Sequence, residues 1–463
     1  MPIEFLYLAI IFAICILWFS LLKRPLYEAM LLSFIALVAT VSIVTGEFSL
    51  AAIWSYILNA MQTPSLYVIF AFILSAALLA KTSVIDDCIA LILSIFGRFR
   101  GGAGMVAIIG SSYMGSLSGS GPGNVATTGV FTIPAMKKSG FPSHLAANVE
   151  AHASTMGNMI PPAGMVAIAF DHLSKTVWGK SFDEGQFWLV LWGIALWFIL
   201  QRIITLYIMC LYYKVEPMAK EDIPPFRASL KRGWKAIFLP IIVFLPFLLT
   251  SQFEEFFISR LGQSGFKSLS SSLLLLIPAL IVICGILLSD KKTRRRMTPK
   301  KMFSLVEGGM LKVVPTAALV LFAYFVSEVF ETLGVEKAIS DYISGFALPR
   351  LALVFIIPLF TAILGMLLPG STQVKIFGGT IITTLAAVGV EPMLSAAMLL
   401  CICGAMHGVT PPYCACVYTA MGIAESELKP TLLNCAIWIA IHYFLSVLIL
   451  LGFLPILGLV KVL

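Results

Sequence analysis

The sequence predicts an all-α, polytopic membrane protein made of two related halves, and three observations carry that reading. Hydrophobic residues make up 59% of the 463-residue chain and charged residues only 12%, with a mean hydropathy of +0.98, outside the range of soluble domains. Runs long enough to cross a hydrocarbon core of roughly 30 Å occur near 3–22, 26–45, 65–82, 186–211, 233–250, 270–288, 315–332 and 431–455. Nine identities also recur 250 residues apart: Gly115, Leu117, Gly129, Pro142, Ala146, Ala147, Met156, Pro161 and Pro162 match Gly365, Leu367, Gly379, Pro392, Ala396, Ala397, Met406, Pro411 and Pro412. Both copies set Gly, Pro, Ser and Thr inside apolar segments. A bilayer tolerates broken backbone of that kind only where it is buried in protein or lines a cavity, and paired interrupted segments mark binding sites.

The elements follow in order. Ile3–Leu22 lacks a basic start and a small-residue cleavage site, so it reads as a retained helix and not a removable signal. With the N-terminus outside, the first helix brings Lys23 and Arg24 in, the second takes Gly46 and Glu47 out, and the third returns Lys81, Arg98 and Arg100 to the cytoplasm. Residues 102–135 hold two short apolar stretches separated by Ser118-Gly-Ser-Gly-Pro-Gly123, which predicts a re-entrant hairpin. A helix broken at Gly157-Asn-Met-Ile-Pro-Pro162 follows over 144–170, and the helix at 186–211 completes a half. Five crossings per half start the second copy from the opposite face, so the repeat is inverted. The second half repeats the order, with a hairpin at 350–388 and a break at His407-Gly-Val-Thr-Pro-Pro412. Both termini then lie outside, and the basic loops Lys214–Lys235 and Asp290–Lys301 lie inside, as the positive-inside rule requires.

Short amphipathic stretches at 49–61, 84–97, 301–314 and 334–347 suit helices lying along the interface. The expected domains are a scaffold from 1–97 and 214–347, and a mobile part from 98–213 and 348–463.

The broken segments carry the chemistry. Helix ends at a hairpin tip or a break expose unpaired backbone groups with partial charges. Freed carbonyl oxygens suit a hard cation such as sodium, while N–H groups and hydroxyls suit a carboxylate. Each half supplies one tip and one break, which predicts two cation sites flanking one substrate site. The candidate ion-binding residues are Ser118, Asn124, Gly157, Pro161, Gly370, Thr372, Gly408, Thr410 and Pro411. The candidate substrate-binding residues are Ser120, Thr127, Thr128, Asn158, Ser371, Lys375 and His407. Lys375 is the outlier, because a lysine beside a membrane-embedded tip needs an anion, water or a counter-charge. Glu150, His152 and Arg202 are further intramembrane polar groups, expected to serve packing or pairing. Asp171 and His172 are expected at a solvated helix end.

Several functions are excluded. The net charge of +8 reports topology and not a nucleic-acid partner. Gly119-Ser-Gly-Pro-Gly123 has no following Lys-Ser or Lys-Thr of a phosphate loop, and the chain has no Ser-His-Asp or His-Glu-x-x-His pattern, so no enzyme is expected. Cys401-Ile-Cys403 and Cys414-Ala-Cys416 lack zinc-knuckle spacing, so no transition metal and no organic cofactor is expected.

The motifs Gly115-Ser-Leu-Ser-Gly-Ser-Gly-Pro-Gly-Asn-Val-Ala-Thr-Thr-Gly129, Phe131–Phe141, Ala153-Ser-Thr-Met-Gly-Asn-Met-Ile-Pro-Pro162, Gly365-Met-Leu-Leu-Pro-Gly370, Val409-Thr-Pro-Pro412 and Tyr418–Ala424 resemble the large membrane subunit of a TRAP (tripartite ATP-independent periplasmic) transporter, of the TAXI branch. That resemblance implies an elevator-type secondary transporter of a bacterial or archaeal inner membrane, importing organic anions with sodium. It also implies two partners besides the lipid bilayer: an extracytoplasmic substrate-binding protein and a small four-helix membrane subunit, expected here as a separate chain. The family's Gly-Met-Gly-x-Pro-Thr reads Gly365-Met-Leu-Leu-Pro-Gly370 here, with Ser371 and Thr372 after it, a departure that leaves the register of the second cation site open. Proton coupling, a stand-alone symporter and a non-transporting scaffold of the same fold are the alternative readings.

Overall fold

A computed structural model describes residues 3–459 apart from 23, 47–48, 63–66, 68–69, 72–73, 76–77, 79–81, 119–120, 162, 179–181, 236–238, 240–244, 247–248, 251–252, 336–337, 339–347, 367 and 412–413. Among the described residues every regular element is helical. Glu4–Cys15, extended by a π-helical turn at Ile16–Leu21, packs on Leu26–Thr45. Leu50–Gln62 and Val84–Phe96 are helices over the two stretches where interfacial helices are expected. Leu26–Thr45, Glu184–Tyr212 and Leu428–Leu450 each contain a stretch long and apolar enough to span a bilayer. The runs expected at 65–82 and 233–250, and the stretch at 334–347, fall largely outside the described residues.

The 250-residue repeat is visible in the elements themselves. Gly102–Ser118 and Gly121–Lys138 form the first hairpin, and Arg350–Leu364 and Gly370–Ala387 the second. The first broken helix runs as Ser143–Ser154, a 3-10 turn at Thr155–Asn158, and Gly164–Lys175. The second runs as Pro392–Leu399, a π-helical segment at Leu400–Ala405, a 3-10 turn at Met406–Gly408, and Ala415–Ala424. Local sequence sets the joints. Each hairpin leaves through a glycine of positive φ, Gly140 at 87° and Gly389 at 83°, a conformation that side chains resist. A proline then opens the next helix, Pro142 as its N-cap and Pro392 in its first turn, where a missing N–H costs nothing. Asp183 caps Glu184–Tyr212 by accepting from the Gln186 N–H at 3.0 Å.

The two copies interlock. Both arms of the first hairpin pack on Ser143–Ser154, and Gly121–Lys138 also packs on Ala415–Ala424 of the other copy. Gly370–Ala387 of the second hairpin packs on Pro392–Leu399 of its own broken helix and on Gly164–Lys175 of the other. The buried apolar residues divide the same way. One cluster joins Val125, Ile133 and Leu145 to Val417 and Ala420, while the other contains Val166, Ile168, Val374, Ile376 and Met393. Each broken helix thus packs its first half on its own hairpin and its second half on the hairpin of the other copy, so the duplication forms one body.

Two expectations are corrected. The stretch 301–314 is not a separate interfacial helix, because Pro299–Thr332 is one helix of 34 residues. Thr298 caps its start at Lys301, and the helix continues through Pro315 without a break. His172 is not at a solvated end: it is 5% exposed, and its Nε2 lies 3.0 Å from the Lys375 backbone oxygen. The second hairpin covers it, as Gly378 shows by leaving only 2.9 Å between a Cβ there and the His172 ring.

Candidate functional site

The site is built where hairpin tips meet helix breaks, and glycine sets how closely they meet. A Cβ on Gly115, in the first hairpin, would lie 2.5 Å from the Gly157 Cα at the first break. At the matching place in the second copy, a Cβ on Gly365 would lie 3.0 Å from the His407 Cα and 2.9 Å from the Thr410 Oγ1. Gly370, which opens the second arm, is closer still: its Cβ would fall 2.6 Å from the His407 Nδ1 and 2.7 Å from the Cys403 carbonyl oxygen. Only glycine lets backbone approach backbone at these distances.

The two breaks also touch each other. Asn158 donates its Nδ2 to the Gly404 carbonyl oxygen at 2.7 Å, which ties the 3-10 turn of one broken helix to the π-helical segment of the other. Gly408, the repeat partner of Asn158, is crowded by Cys416 and by Thr155, whose Cγ2 would be 3.2 Å from a Cβ there. Segments that depart from α-helical pairing release carbonyls from the i, i+4 ladder and occur often at functional positions. Arg202 holds the first break in shape. Fully buried, it donates Nε to the His152 oxygen at 2.8 Å and Nη2 to the Thr155 Oγ1 at 3.0 Å.

In each hairpin a buried amide side chain stands in the first turn of the second arm. Asn124 donates Nδ2 to the Ser111 carbonyl at 2.7 Å, and Gln373 donates Nε2 to the Leu368 carbonyl at 2.9 Å. Asn124 Oδ1, Gln373 Oε1 and the Thr372 hydroxyl are buried yet make no hydrogen bond among the described residues. Such oxygens cost free energy unless something positive or a donor meets them. They are the donor set that a hard cation takes.

The structure distributes the expected residues unevenly. Gly157, Asn158, Gly408 and Thr410 are buried at the breaks, and His407 stands beside them with its Nδ1 3.2 Å from the Cys403 oxygen. Pro161 is buried and Pro411 partly so, each just past its break. Thr410 donates its hydroxyl to the Met406 oxygen at 2.9 Å. Asn124, Gly370 and Thr372 are buried at the tips, with Ser371 partly covered. Ser118 ends the first arm, its side chain outside the described residues together with Ser120. Thr127 and Thr128 point apart: Thr127 bonds the Gly123 oxygen at 2.8 Å, whereas Thr128 turns inward to Glu150. Lys375 is 1% exposed, and its Nζ lies 4.3 Å from the ring centroid of Tyr324 on Pro299–Thr332. That cation-π contact turns it toward Pro299–Thr332, and its ammonium makes no hydrogen bond among the described residues. Gln373 is the residue that sequence reasoning passed over. It stands in the tip motif, and its position in the first turn of an arm, as for Asn124, was the available signal.

The matched hairpins and breaks agree with a family comparison in which residues 13–457 fit the tripartite ATP-independent periplasmic transporter, DctM component. This chain belongs to that family. Its curated relatives are named as large permease proteins of TRAP transporters, a transporter family and not enzymes. The DctM-family chain is 28% identical over 199 residues to the C4-dicarboxylate TRAP transporter large permease protein DctM of Pseudomonas aeruginosa, a match that covers 42% of this chain and under half, 45%, of that relative's length. It is 22% identical over 448 residues to the 2,3-diketo-L-gulonate TRAP transporter large permease protein YiaN of Escherichia coli, covering 96% of this chain and 97% of that one. Its fold is similar to the Alcanivorax borkumensis YdaH transporter, at TM-score 0.57 and 14% identity over 86% of this chain and 88% of that one. Neisseria gonorrhoeae MtrF is similar at TM-score 0.58 and 13% identity, over 89% and 84%.

Proposed function

We propose that this subunit carries a small organic anion, a carboxylate, across the cytoplasmic membrane by sodium symport, receiving it from an extracytoplasmic binding protein beside a small four-helix membrane subunit, in the manner of the TAXI branch. The observation that carries this reading is the doubled junction of hairpin tip and helix break, each with an amide oxygen, Asn124 Oδ1 or Gln373 Oε1, buried without a donor. One cation would sit at each junction, with Thr372, Thr410 and the freed carbonyls of the breaks as further oxygen donors. The anion belongs between them, where Asn158, His407 and the N-terminal ends of Gly121–Lys138 and Gly370–Ala387 offer donors and partial positive charge. The substrates named for two relatives, a C4-dicarboxylate and 2,3-diketo-L-gulonate, support a carboxylate.

The two copies run in opposite senses through the membrane on this reading, with both termini on the outer face. The hairpins, broken helices, Glu184–Tyr212 and Leu428–Leu450 move as one elevator against a scaffold that includes Pro299–Thr332. Lys175, which ends Gly164–Lys175, pairs with Glu331 of that scaffold helix at 3.2 Å. An exposed pair of this kind is weak enough to break and reform.

Uptake of radiolabelled succinate and other small carboxylates into proteoliposomes tests the proposal. Accumulation should require an inward sodium gradient, the small subunit and the binding protein together. Accumulation by the large subunit alone would make it a stand-alone symporter, and accumulation unchanged without sodium would remove sodium as the driving ion.

A further inference from the structure

Glu150 is fully buried in Ser143–Ser154 and is not spent on any of the junctions described above. Its carboxyl is ringed by hydroxyls. Oε1 accepts from Ser111 and Ser154, each at 2.9 Å, and from Thr128 at 2.5 Å, while Oε2 accepts from Thr132 at 2.5 Å. Among the described residues it makes no ion pair. A carboxylate held away from water without a cation is costly, and the hydroxyl ring eases that cost while leaving another solution open.

Three of the four hydroxyls have a second acceptor within reach. Thr132 also lies 3.1 Å from the Thr128 carbonyl oxygen, Thr128 lies 2.9 Å from the Asn124 oxygen, and Ser111 lies 2.9 Å from the Thr128 hydroxyl. With Glu150 ionised, all four protons point at the carboxylate. With Glu150 protonated, Oε2–H donates to the Thr132 oxygen, whose own proton turns to the Thr128 carbonyl. Both states are fully hydrogen-bonded, and only hydroxyl rotors separate them.

Thr132 has a second property: it lines a cavity of about 260 Å³ between Val84–Phe96 and the first hairpin, together with Asp86, Phe131 and Pro224. Asp86 is exposed at the residue level, and partial desolvation of its carboxyl, with neighbouring Asp87, raises its pKa from the ordinary value. One threonine thus joins a cavity walled by an exposed carboxylic acid to a buried one.

The groups facing Glu150 from the surrounding elements are otherwise uncharged or already committed. Ser111 comes from the first arm, Thr128 and Thr132 from the second, and Cys416 from Ala415–Ala424. Lys137 on the second arm gives its Nζ to the Ala424 oxygen at 2.9 Å. Arg202 of Glu184–Tyr212 is bound to His152 and Thr155, and His152 itself lies against Cys435 and Trp438 of Leu428–Leu450.

We infer that Glu150 is a proton-binding site of this subunit, loaded through Thr132 from the cavity beside Asp86, so that a proton joins the sodium and the anion in the transport cycle. The coupling half of this inference rests on the proposed transport function; the binding half does not. Infrared difference spectroscopy of the purified protein through a pH titration reads the binding half directly, as the carbonyl stretch of a protonated carboxylic acid. Wild type should show a titrating band that is absent in Glu150→Gln, is retained in Thr132→Ser and shifts its midpoint in Thr132→Val. A wild-type titration identical to that of Glu150→Gln would overturn the site, whether or not any transport is observed. Should Glu150→Gln fail to fold, an unmoved midpoint in Thr132→Val does the same. In proteoliposomes at fixed sodium, an inward proton gradient should speed uptake by wild type several-fold and leave Glu150→Gln unchanged. Wild-type uptake indifferent to that gradient would overturn the coupling while leaving sodium-driven transport standing.

Discussion

The Asn158 amide nitrogen reaches a residue 246 positions along the chain and donates to the Gly404 carbonyl oxygen at 2.7 Å, so the two helix breaks are held together by a side chain of one and the backbone of the other. Neither break is then an independent defect. Each leaves polar backbone in the interior, and a side chain of the first satisfies backbone of the second, the condition under which a membrane protein tolerates broken helices.

Asn158→Ala removes that donor and leaves the Gly404 carbonyl buried without it. A loss of about 1–3 kcal/mol follows from an unmet buried group. Thermal unfolding in detergent should fall by several degrees, and sodium-dependent uptake should fall further than stability alone explains. An unchanged melting temperature would mean that the two breaks do not depend on this bond.

Close approach of tip and break gives a paired comparison on one helix. A Cβ on Gly115 meets the Gly157 backbone at 2.5 Å, whereas on Gly110 its nearest neighbour is the Ile89 Cγ1 at an ordinary 3.7 Å. Gly115→Ala should destabilise by about 1–3 kcal/mol through overpacking and impair transport. Gly110→Ala should be neutral or slightly stabilising, since alanine favours a helix interior by about 1 kcal/mol over glycine. Equal melting temperatures for the two variants would contradict the junction.

Arg202→Met tests the brace on the first break. The methionine keeps most of the buried apolar stem but gives nothing to the His152 oxygen or the Thr155 hydroxyl. Stability should drop by about 1–3 kcal/mol, and limited proteolysis should show new cutting near 155–161. Arg202→Lys should restore only part, because one ammonium cannot reproduce a planar fork.

Much of this architecture is legible in the residues. Gly-Pro-Pro-type interruptions inside apolar runs cannot be regular helix, so both breaks and both hairpins fall close to where the repeat sets them, and Gly140 and Gly389 mark the turns that leave each hairpin. The interlocking of the copies is not legible. Nothing in the periodicity of Ala415–Ala424 says that its partners are Gly121–Lys138 and Ser143–Ser154, nearly 300 residues earlier, because long-range packing leaves no local pattern. Glu150 shows the same limit: Ser154 is its i+4 neighbour, but Ser111, Thr128 and Thr132 reach it from two other helices. His172 reads as a helix-end residue until the Lys375 carbonyl is placed above it. Gln373 reads as one polar residue among several until the start of its helix is placed at Gly370, when it stands in the first turn of its arm as Asn124 does.

The most direct measurement is the stoichiometry of radioactive sodium bound by the purified protein at equilibrium. Two junctions, each with one orphaned amide oxygen, give two ions per chain in wild type, one in Asn124→Leu, one in Gln373→Leu and none in the double variant. Binding of the same number of ions by all four folded proteins would contradict the account.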